Sequence, residues 1–311
     1  MKRKINLVGQ NTLTVSLPSK WAKQHNLNKG DEIDLIEENN QLVLHTPNFI
    51  SEDKSCTIHA KLPKRYISRQ IFSAFMKGYD VLKIKYDEPS VINLLHSYVN
   101  GMVGFDITEQ KKDFCIIKKI AHIDESEFES LFRRLFLLTI TLANGCLGAI
   151  KKGEYHLLKD IAKLEYTQNK VYLTCLRIIN KKGHYFFKDP NLYYLLCQRL
   201  EDIGDDYKYI SLYLAENHLT FKSSSPTLKY FEEINKMLEK FYDFFYKFDK
   251  KDGMYIINKK KELIISGLSM LETVPKKEIR IIHKLLELLV KIYDAAGDPV
   301  FGINLKVEDS F

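Results

Sequence analysis

Apolar and polar residues alternate near the start of the chain, which is the pattern expected of half-buried β-strands. The alternation covers residues 5–7 and 13–17, and Gly9, Gln10 and Asn11 separate the two runs. Glycine and asparagine are residues that favour tight turns. The pattern therefore predicts a β-hairpin at the start of the chain.

A short helix and two more strands are predicted after the hairpin. Pro18 and Ser19 form a helix start for Ser19–His25, and strands are predicted at Glu32–Glu37 and Gln41–His45. The first 46 residues thus have the order β-β-α-β-β. Sheets this small bury little apolar surface by themselves, so we expect an intimate dimer.

Beyond residue 54 the pattern changes to strands that alternate with helices. The apolar spacing predicts the order strand, helix, strand, helix, strand, strand. These elements are predicted at Cys56–Lys61, Lys64–Lys77, Val81–Tyr86, Ser90–Val99, Asp106–Gln110 and Phe114–Lys118. Together they predict a small α/β sandwich.

Strands are absent from the pattern after Asp124, and long amphipathic helices take their place. Turn-forming residues divide this part into six helices, three before Ser223–Pro226 and three after it. The other breaks are predicted at Gly153, at residues 182–190, at Asp252–Gly253 and at Val274–Pro275. Three helices on each side indicate two three-helix bundles related by an internal duplication.

The composition is that of a globular protein whose excess charge lies in one segment. Of the 311 residues, 45% are apolar and 28% are charged, which excludes a disordered or fibrous chain. The net charge is +7, and no acid occurs between Met1 and Gly30. The basic residues of this segment are Lys2, Arg3, Lys4, Lys20, Lys23 and Lys29. A basic run is commonly only a solvated surface, but an acid-free one also suits contacts with nucleic-acid phosphates.

Cysteine usage and apolar runs predict a cytoplasmic protein. The five cysteines are widely spaced and form no C-x-x-C motif, so neither a disulfide framework nor a zinc ribbon is indicated. The basic start reaches Gln10 and Asn11 before any long apolar run, which does not fit a secretory signal. The uncharged segment Leu135–Ile150 is shorter than the ~20 residues of a membrane span. It predicts a buried helix, with no membrane insertion.

Residues 13–35, LTVSLPSKWAKQHNLNKGDEIDL, carry the most specific motif of the chain. Its anchors are Leu17-Pro18, Trp21, Leu27 and Gly30-Asp31. The motif resembles the swapped-hairpin DNA-binding domain of the AbrB, MazE and SpoVT families, over about Arg3–Thr46. The resemblance implies a homodimer in which two chains interlace their hairpins. The dimer would contact DNA through a basic surface.

Six residues of this segment are candidates for contact with DNA: Lys2, Arg3, Lys4, Asn11, Lys20 and Lys23. The first three are expected to alternate across the first strand, and Lys20 and Lys23 to lie about one helical turn apart. Asn11, at the hairpin tip, either reaches a base edge or only takes a left-handed turn conformation. Leu17, Trp21 and Leu27 are expected in the core.

Paired acids mark the helical part. Glu201 and Asp205 are four residues apart, which places them on one face of a helix. The segment resembles the E-x-x-x-D helix motif of the PhoU family, over about Asp124–Gly302, and this resemblance implies a metal site. In a second, imperfect copy Asp294 matches Asp205, and Asp298 restores a pair four residues apart.

Two residues depart from the ligand pattern of the family, which weakens the inference of a metal site. Val290 stands where Glu201 stands in the first copy, and Asn169 is at a position usually held by Asp in the family. With oxygen ligands alone, the cation would be Mg, Mn or Fe, and no cofactor is otherwise required. The alternative is that these acids are ordinary solvated side chains.

The predicted fold class is multidomain α+β. It consists of a small β-rich swapped-hairpin head at residues 1–48, an α/β domain at 54–120 and all-α three-helix bundles at 124–222 and 224–304. The nine histidines form no H-x-x-x-H pair, and no nucleotide-binding or hydrolase motif is present, so we expect no enzyme. As a whole the chain resembles archaeal PhoU-like regulators with an AbrB-type head.

These observations predict a dimeric DNA-binding transcriptional regulator, and the PhoU resemblance implies a link to phosphate uptake or homeostasis. One alternative is an accessory regulator that acts through contacts with a phosphate transporter component. Another is an antitoxin-like regulator. The antitoxin alternative is less favoured, because such proteins usually have short, disordered C-terminal parts, whereas the helices here are long and apolar.

Overall fold

A computed structural model of the chain describes residues 2–38, 41–45, 53–60, 63–121, 124–183, 187–222 and 224–304. They fall into two compact units, residues 1–54 and 55–311. Some predicted features lie outside the described residues, namely the turn at 39–40, the end of the head at 46–48, Lys61 and Ser223. The boundaries predicted inside the second unit stay predictions.

The first unit contains the head, whose elements follow the predicted order. They are β1 (Ile5–Val8), β2 (Thr12–Val15), α1 (Ser19–Gln24), β3 (Asp34–Glu38) and β4 (Gln41–His45). β1 pairs with β2 and β3 with β4, each as an antiparallel two-stranded sheet. The predicted hairpin is therefore confirmed, and one chain supplies two separate small sheets.

The second unit begins with a four-stranded sheet and two helices. Its elements are β5 (Ser55–His59), α2 (Lys64–Met76), β6 (Val81–Lys85), α3 (Val91–Val99), β7 (Phe105–Gln110) and β8 (Phe114–Lys119). The strand order is β5-β6-β8-β7, with β5 parallel to β6 and the other pairs antiparallel. β5 therefore lies at an edge of the sheet, and α2 connects it to β6.

Helices form the rest of the second unit. They are α4 (Phe128–Lys152), α5 (Leu158–Ala162), α6 (Leu164–Lys182), α7 (Pro190–Glu216), α8 (Pro226–Lys247), α9 (Lys250–Thr273), α10 (Lys276–Ala296) and α11 (Asp298–Asn304). Three long helices precede the predicted break near residue 225, and three follow it. α4 packs on α6, α7 and α8, while α10 packs on α7, α8 and α9. The helices before and after the break thus share contacts.

α4 forms much of the helical core. It is long and apolar enough to cross a membrane by length and composition, yet half of its most apolar window is buried within the structure. The buried side chains include Phe132, Phe136, Leu142 and Cys146. α4 therefore packs as a core helix, as predicted for the segment Leu135–Ile150.

The break predicted at Asp252–Gly253 is wrong. α8 ends just before Phe248, which takes a left-handed φ of 46°. Asp249 then caps α9 by accepting a hydrogen bond from a backbone N–H, at 2.6 Å. Gly253 lies inside α9, where a Cβ would come 3.0 Å from the ring of Phe244. The glycine permits close packing of α9 on α8 rather than ending a helix.

A buried ion pair joins the sheet to the helices of the second unit. Arg177 on α6 lies 2.5 Å from Asp80 Oδ1, and these side chains are only 3% and 1% exposed. The guanidinium also donates to the backbone oxygens of Phe75 and Tyr79, at 2.7 and 2.8 Å. Lys181 Nζ donates to Asp80 at 3.1 Å. We call these five residues the α6 joint, because they fix the turn between α2 and β6 against α6.

Candidate nucleic-acid interface

The basic residues at the N-terminus lie before the first strand. β1 begins at Ile5, so the prediction that Lys2, Arg3 and Lys4 alternate across a strand is wrong. The ladder of the hairpin ends at the pair of Ile5 with Val15. Residues 2–4 and 16–18 therefore lie beyond the paired part of the hairpin.

Five basic side chains near the start of the head are accessible. Lys2, Arg3, Lys4, Lys20 and Lys23 are all exposed. Among the described residues, none of these five takes part in an ion pair. Exposed cations of this kind are available for contacts with phosphate oxygens, which position a protein on DNA.

The hairpin places Asn11 away from the basic residues of its own chain. Because β2 runs antiparallel to β1, the chain returns to the end where residues 2–4 lie before it enters α1. Asn11 lies at the opposite end, about 13 Å away for a four-residue strand. Gly9 has a φ of +68°, whereas Asn11 does not have a positive φ. The left-handed alternative for Asn11 is therefore wrong, and its base contact stays a prediction.

α1 carries Lys20 and Lys23 on a helix that ends in a compact turn. Asn26, two residues after the end of the helix, takes a left-handed φ of 53°. The backbone N–H of Asn28 then donates to the carboxylate of Asp31 at 2.7 Å. Gly30-Asp31, an anchor of the sequence motif, thus belongs to the turn that leads from α1 to β3.

The described side chains of the head form no buried core within one chain. Leu17, Trp21 and Leu27, which were expected in the core, are only half-buried. None of the head residues whose side chains are described is buried. The strands instead expose large apolar side chains, which are 55% to 69% accessible: Ile5, Leu7, Val8, Leu13, Val15, Leu35 and Leu42. An apolar surface of this kind marks a protein interface.

The first predicted carboxylate pair lies at a contact of α6 and α7. Glu201 and Asp205 are half-buried on α7. Lys208 Nζ lies 2.6 Å from Asp205 Oδ1 and 3.2 Å from Glu165 Oε1 of α6. Asn169 donates to the same Glu165 carboxylate. Burial raises the pKa of Glu201 to about 7, and the neighbouring carboxylates add to this shift.

The second predicted pair does not form on one helix face. Asp294 lies near the end of α10 and Asp298 begins α11, with a break at Gly297, so the prediction of a shared face is wrong. Lys291 instead reaches Asp206 of α7, at 2.7 Å. The sequence pattern did not identify Asp206 as a candidate. The spacing of residues along α7 does not show that Asp206 contacts Lys291 on another helix.

The surroundings of the four predicted acids do not support a bound metal ion. Among the described residues, no group of three or more His, Cys, Asp and Glu side chains is arranged to hold one. Lys208 already supplies a positive charge between Asp205 and Glu165. Binding of Mg, Mn or Fe at Glu201, Asp205, Asp294 and Asp298 stays a prediction.

A comparison with known protein families supports the interpretation of the head. Residues 8–48 match the family model described as antidote-toxin recognition MazE, bacterial antitoxin. Comparison with curated proteins gave no match, and comparison with solved structures gave none either. The family match supports an N-terminal swapped-hairpin domain of AbrB and MazE type. Nothing in the comparisons supports the PhoU resemblance of the helical part.

Proposed function

We propose that the chain is a dimeric DNA-binding transcriptional regulator whose head contacts DNA. The observation that carries this proposal is the coincidence of the family match at residues 8–48 with the exposed, acid-free basic segment. Contacts between such cations and phosphates supply most of the sequence-independent affinity for DNA. Binding rather than catalysis is the proposed activity.

A second copy of the head completes the proposed DNA-binding unit. In one chain the strands of the head leave seven large apolar side chains exposed and form two separate two-stranded sheets. Interlaced hairpins from two chains would cover these side chains and double the number of cations on one surface. The dimer is therefore part of the proposed function.

The test begins with selection of genomic DNA fragments by the full chain, followed by sequencing. Affinity for an enriched fragment is then measured by fluorescence anisotropy between about 50 and 200 mM salt. The logarithm of affinity should fall linearly with the logarithm of salt concentration. Arg3→Ala combined with Lys4→Ala should weaken binding and reduce the slope by about 0.9 for each phosphate contact that is lost.

The matched control removes two exposed lysines of the second unit, by Lys85→Ala with Lys112→Ala. This variant has the same change in charge as the head variant and should keep the parent's affinity and salt slope. Absence of saturable binding by the parent would overturn the proposal. Unchanged affinity and slope in the Arg3 and Lys4 variant would show that DNA contacts another part of the chain.

An antitoxin-like regulator is the second candidate, and the description of the matching family favours it. The two candidates differ in what happens when the gene is deleted. Loss of an antitoxin releases its toxin, so viable deletion strains would carry a second mutation in one other gene. Deletion strains recovered without such a mutation would favour the transcriptional regulator.

We also propose that the protein acts in the cytoplasm and that its helical part receives a signal related to phosphate supply, directly or through a phosphate transporter component. The support for this link is the PhoU resemblance of residues 124–302, together with three long helices on each side of residue 225. The test compares transcript levels in a deletion strain and its parent after phosphate withdrawal. Identical responses in the two strains would remove the link.

A further inference from the structure

A cavity lies between the edge strand β5 and helix α2 in the second unit. It is largely open to solvent, and its volume is about 410 Å³. The α2 side of the cavity is formed by Tyr66, Gln70, Ser73 and Lys77, which recur at helical spacing on one stripe. The cavity belongs neither to the head nor to the acid cluster around Glu201.

The charge of the cavity is positive. Arg69 and Lys77 line it, and no acid is found among the described residues that do so. Neither cation forms an ion pair within the described part of the chain. Arg69 lies on α2 and Lys77 directly follows the last residue of α2, eight positions further on and about 12 Å along the helix axis. Both side chains are long and flexible, so an anion that lies along the α2 side of the cavity can meet both.

The uncharged side chains of the cavity fit a ligand that also has a planar ring with N–H groups. Tyr66 is 54% exposed, so its ring presents a face on which another ring can stack. The Oε1 atom of Gln70 is buried and has no hydrogen-bond partner within the described part of the chain. A buried acceptor in this state is costly, and a donor on a ligand would satisfy it.

The cavity is also next to the α6 joint. Tyr79 lines the cavity, and its backbone oxygen accepts a hydrogen bond from Arg177 at 2.8 Å. Asp80, the following residue, is the buried partner of Arg177. A ligand at this position would therefore contact the turn by which the sheet is held against α6.

We propose that this cavity is a nucleotide-binding site. Arg69 and Lys77 would bind the phosphates, the ring of Tyr66 would stack on the base, and Gln70 would accept from an exocyclic amine. Nucleotide binding at this cavity does not depend on DNA binding by the head. Its ligand would give the proposed regulator a small-molecule input.

The test measures binding of ATP, AMP, adenosine and inorganic phosphate to the full chain by isothermal titration calorimetry at constant ionic strength. We expect saturable binding of ATP or AMP, with one site per chain and at least tenfold tighter than adenosine or phosphate. Arg69→Ala combined with Lys77→Ala should weaken that binding at least tenfold. Both residues are exposed, so the variant should keep the parent's circular dichroism spectrum and melting temperature.

Two matched controls separate this site from other basic surfaces. Lys85→Ala with Lys112→Ala, and Arg3→Ala with Lys4→Ala in the head, should each leave nucleotide affinity within about twofold of the parent. Gln70→Leu should weaken AMP binding while leaving the affinity for inorganic phosphate unchanged. The proposal is overturned if neither nucleotide binds, if inorganic phosphate binds as tightly, or if a control variant loses as much affinity as the cavity variant.

Discussion

Asp80 and Arg177 show how strongly single buried charges determine the stability of the second unit. Burial alone would raise the pKa of Asp80, but the nearby cations Lys181, Arg177 and Lys119 outweigh it and lower this pKa. Removing one member of a buried pair leaves the other charged and uncompensated. Such a loss commonly costs about 3–5 kcal/mol.

We expect Asp80→Asn to lower the free energy of unfolding by about 3 kcal/mol, measured by urea denaturation at neutral pH. The control is Asp160→Asn, since Asp160 is exposed and pairs with Lys163 at the surface; it should have no measurable effect. Because the folded-state pKa of Asp80 is lowered, its contribution is complete above the ordinary value of 3.8 and is lost as the pH falls through the lower pKa. Equal stability of parent and variant at neutral pH would contradict this prediction.

Glu201 has the opposite dependence on pH. Its pKa is raised from 4.5 to about 7 in the folded chain, mainly by burial. A raised folded-state pKa means that its contribution to stability is complete below about pH 4.5 and is lost as the pH rises through about 7. At pH 8, Glu201→Gln should therefore be more stable than the parent, by up to about 3 kcal/mol.

Urea denaturation at about pH 4.5 and pH 8 measures this difference, with two variants beside the parent. Glu216→Gln is the control, because Glu216 is exposed at the end of the same helix, α7. It should follow the parent at both pH values, whereas Glu201→Gln should lose less stability between them. The prediction fails if all three proteins change by the same amount.

At the level of helices, packing decides whether a glycine only destabilises its helix or also allows that helix to pack closely against its neighbours. Gly267 lies in α9, and a Cβ there would come 2.4 Å from Tyr230 Oη and 2.6 Å from Leu286 Cδ2. Gly148 lies in α4, where a Cβ would meet nothing within 4 Å. Both positions have helical conformation, so alanine is intrinsically favoured at both by up to about 1 kcal/mol.

The two substitutions should therefore act in opposite directions. Gly148→Ala should raise the free energy of unfolding by about 0.5–1 kcal/mol. Gly267→Ala should lower it by about 1–3 kcal/mol, because Tyr230 and Leu286 must move. Urea denaturation of both variants beside the parent measures the two signs. A stabilising Gly267→Ala would show that α9 packs less closely than the structure indicates.

At the level of the whole molecule, the exposed strands of the head lead us to expect a second copy. Leu7 and Leu13 lie directly opposite each other in the hairpin and are 62% and 68% exposed in one chain. Glutamates placed at both positions would have to be buried without partners in an interlaced dimer. We expect Leu7→Glu with Leu13→Glu to convert the dimer to monomers and to abolish DNA binding.

Sedimentation equilibrium of the full chain measures this change, with Ile265→Glu as the control. Ile265 is 70% exposed on α9, in the second unit, and its variant should sediment like the parent. A monomeric parent would contradict the prediction, and so would a Leu7 and Leu13 variant that remains dimeric.

Local pattern was sufficient to predict the order of elements in the first 121 residues and the breaks at Gly153 and Val274–Pro275. Alternation and helical spacing are properties of neighbouring residues, so they can be read without knowledge of tertiary contacts. The basic, acid-free character of the head is likewise a property of the sequence alone. Gly253 was misinterpreted because a glycine that ends a helix and one that permits close packing look alike in a sequence.

Only the tertiary structure decided which residues from different elements contact one another. Lys208 lies between Glu165 and Asp205 because α6 and α7 pack side by side. Arg177 forms a hydrogen-bonded ion pair with Asp80, which is 97 residues away in the sequence. The spacing of acids along one helix specifies which face they share, but it does not specify which cation a neighbouring helix brings to that face. Sequence alone therefore determined the elements and the character of the head, while packing decided which charges are buried together.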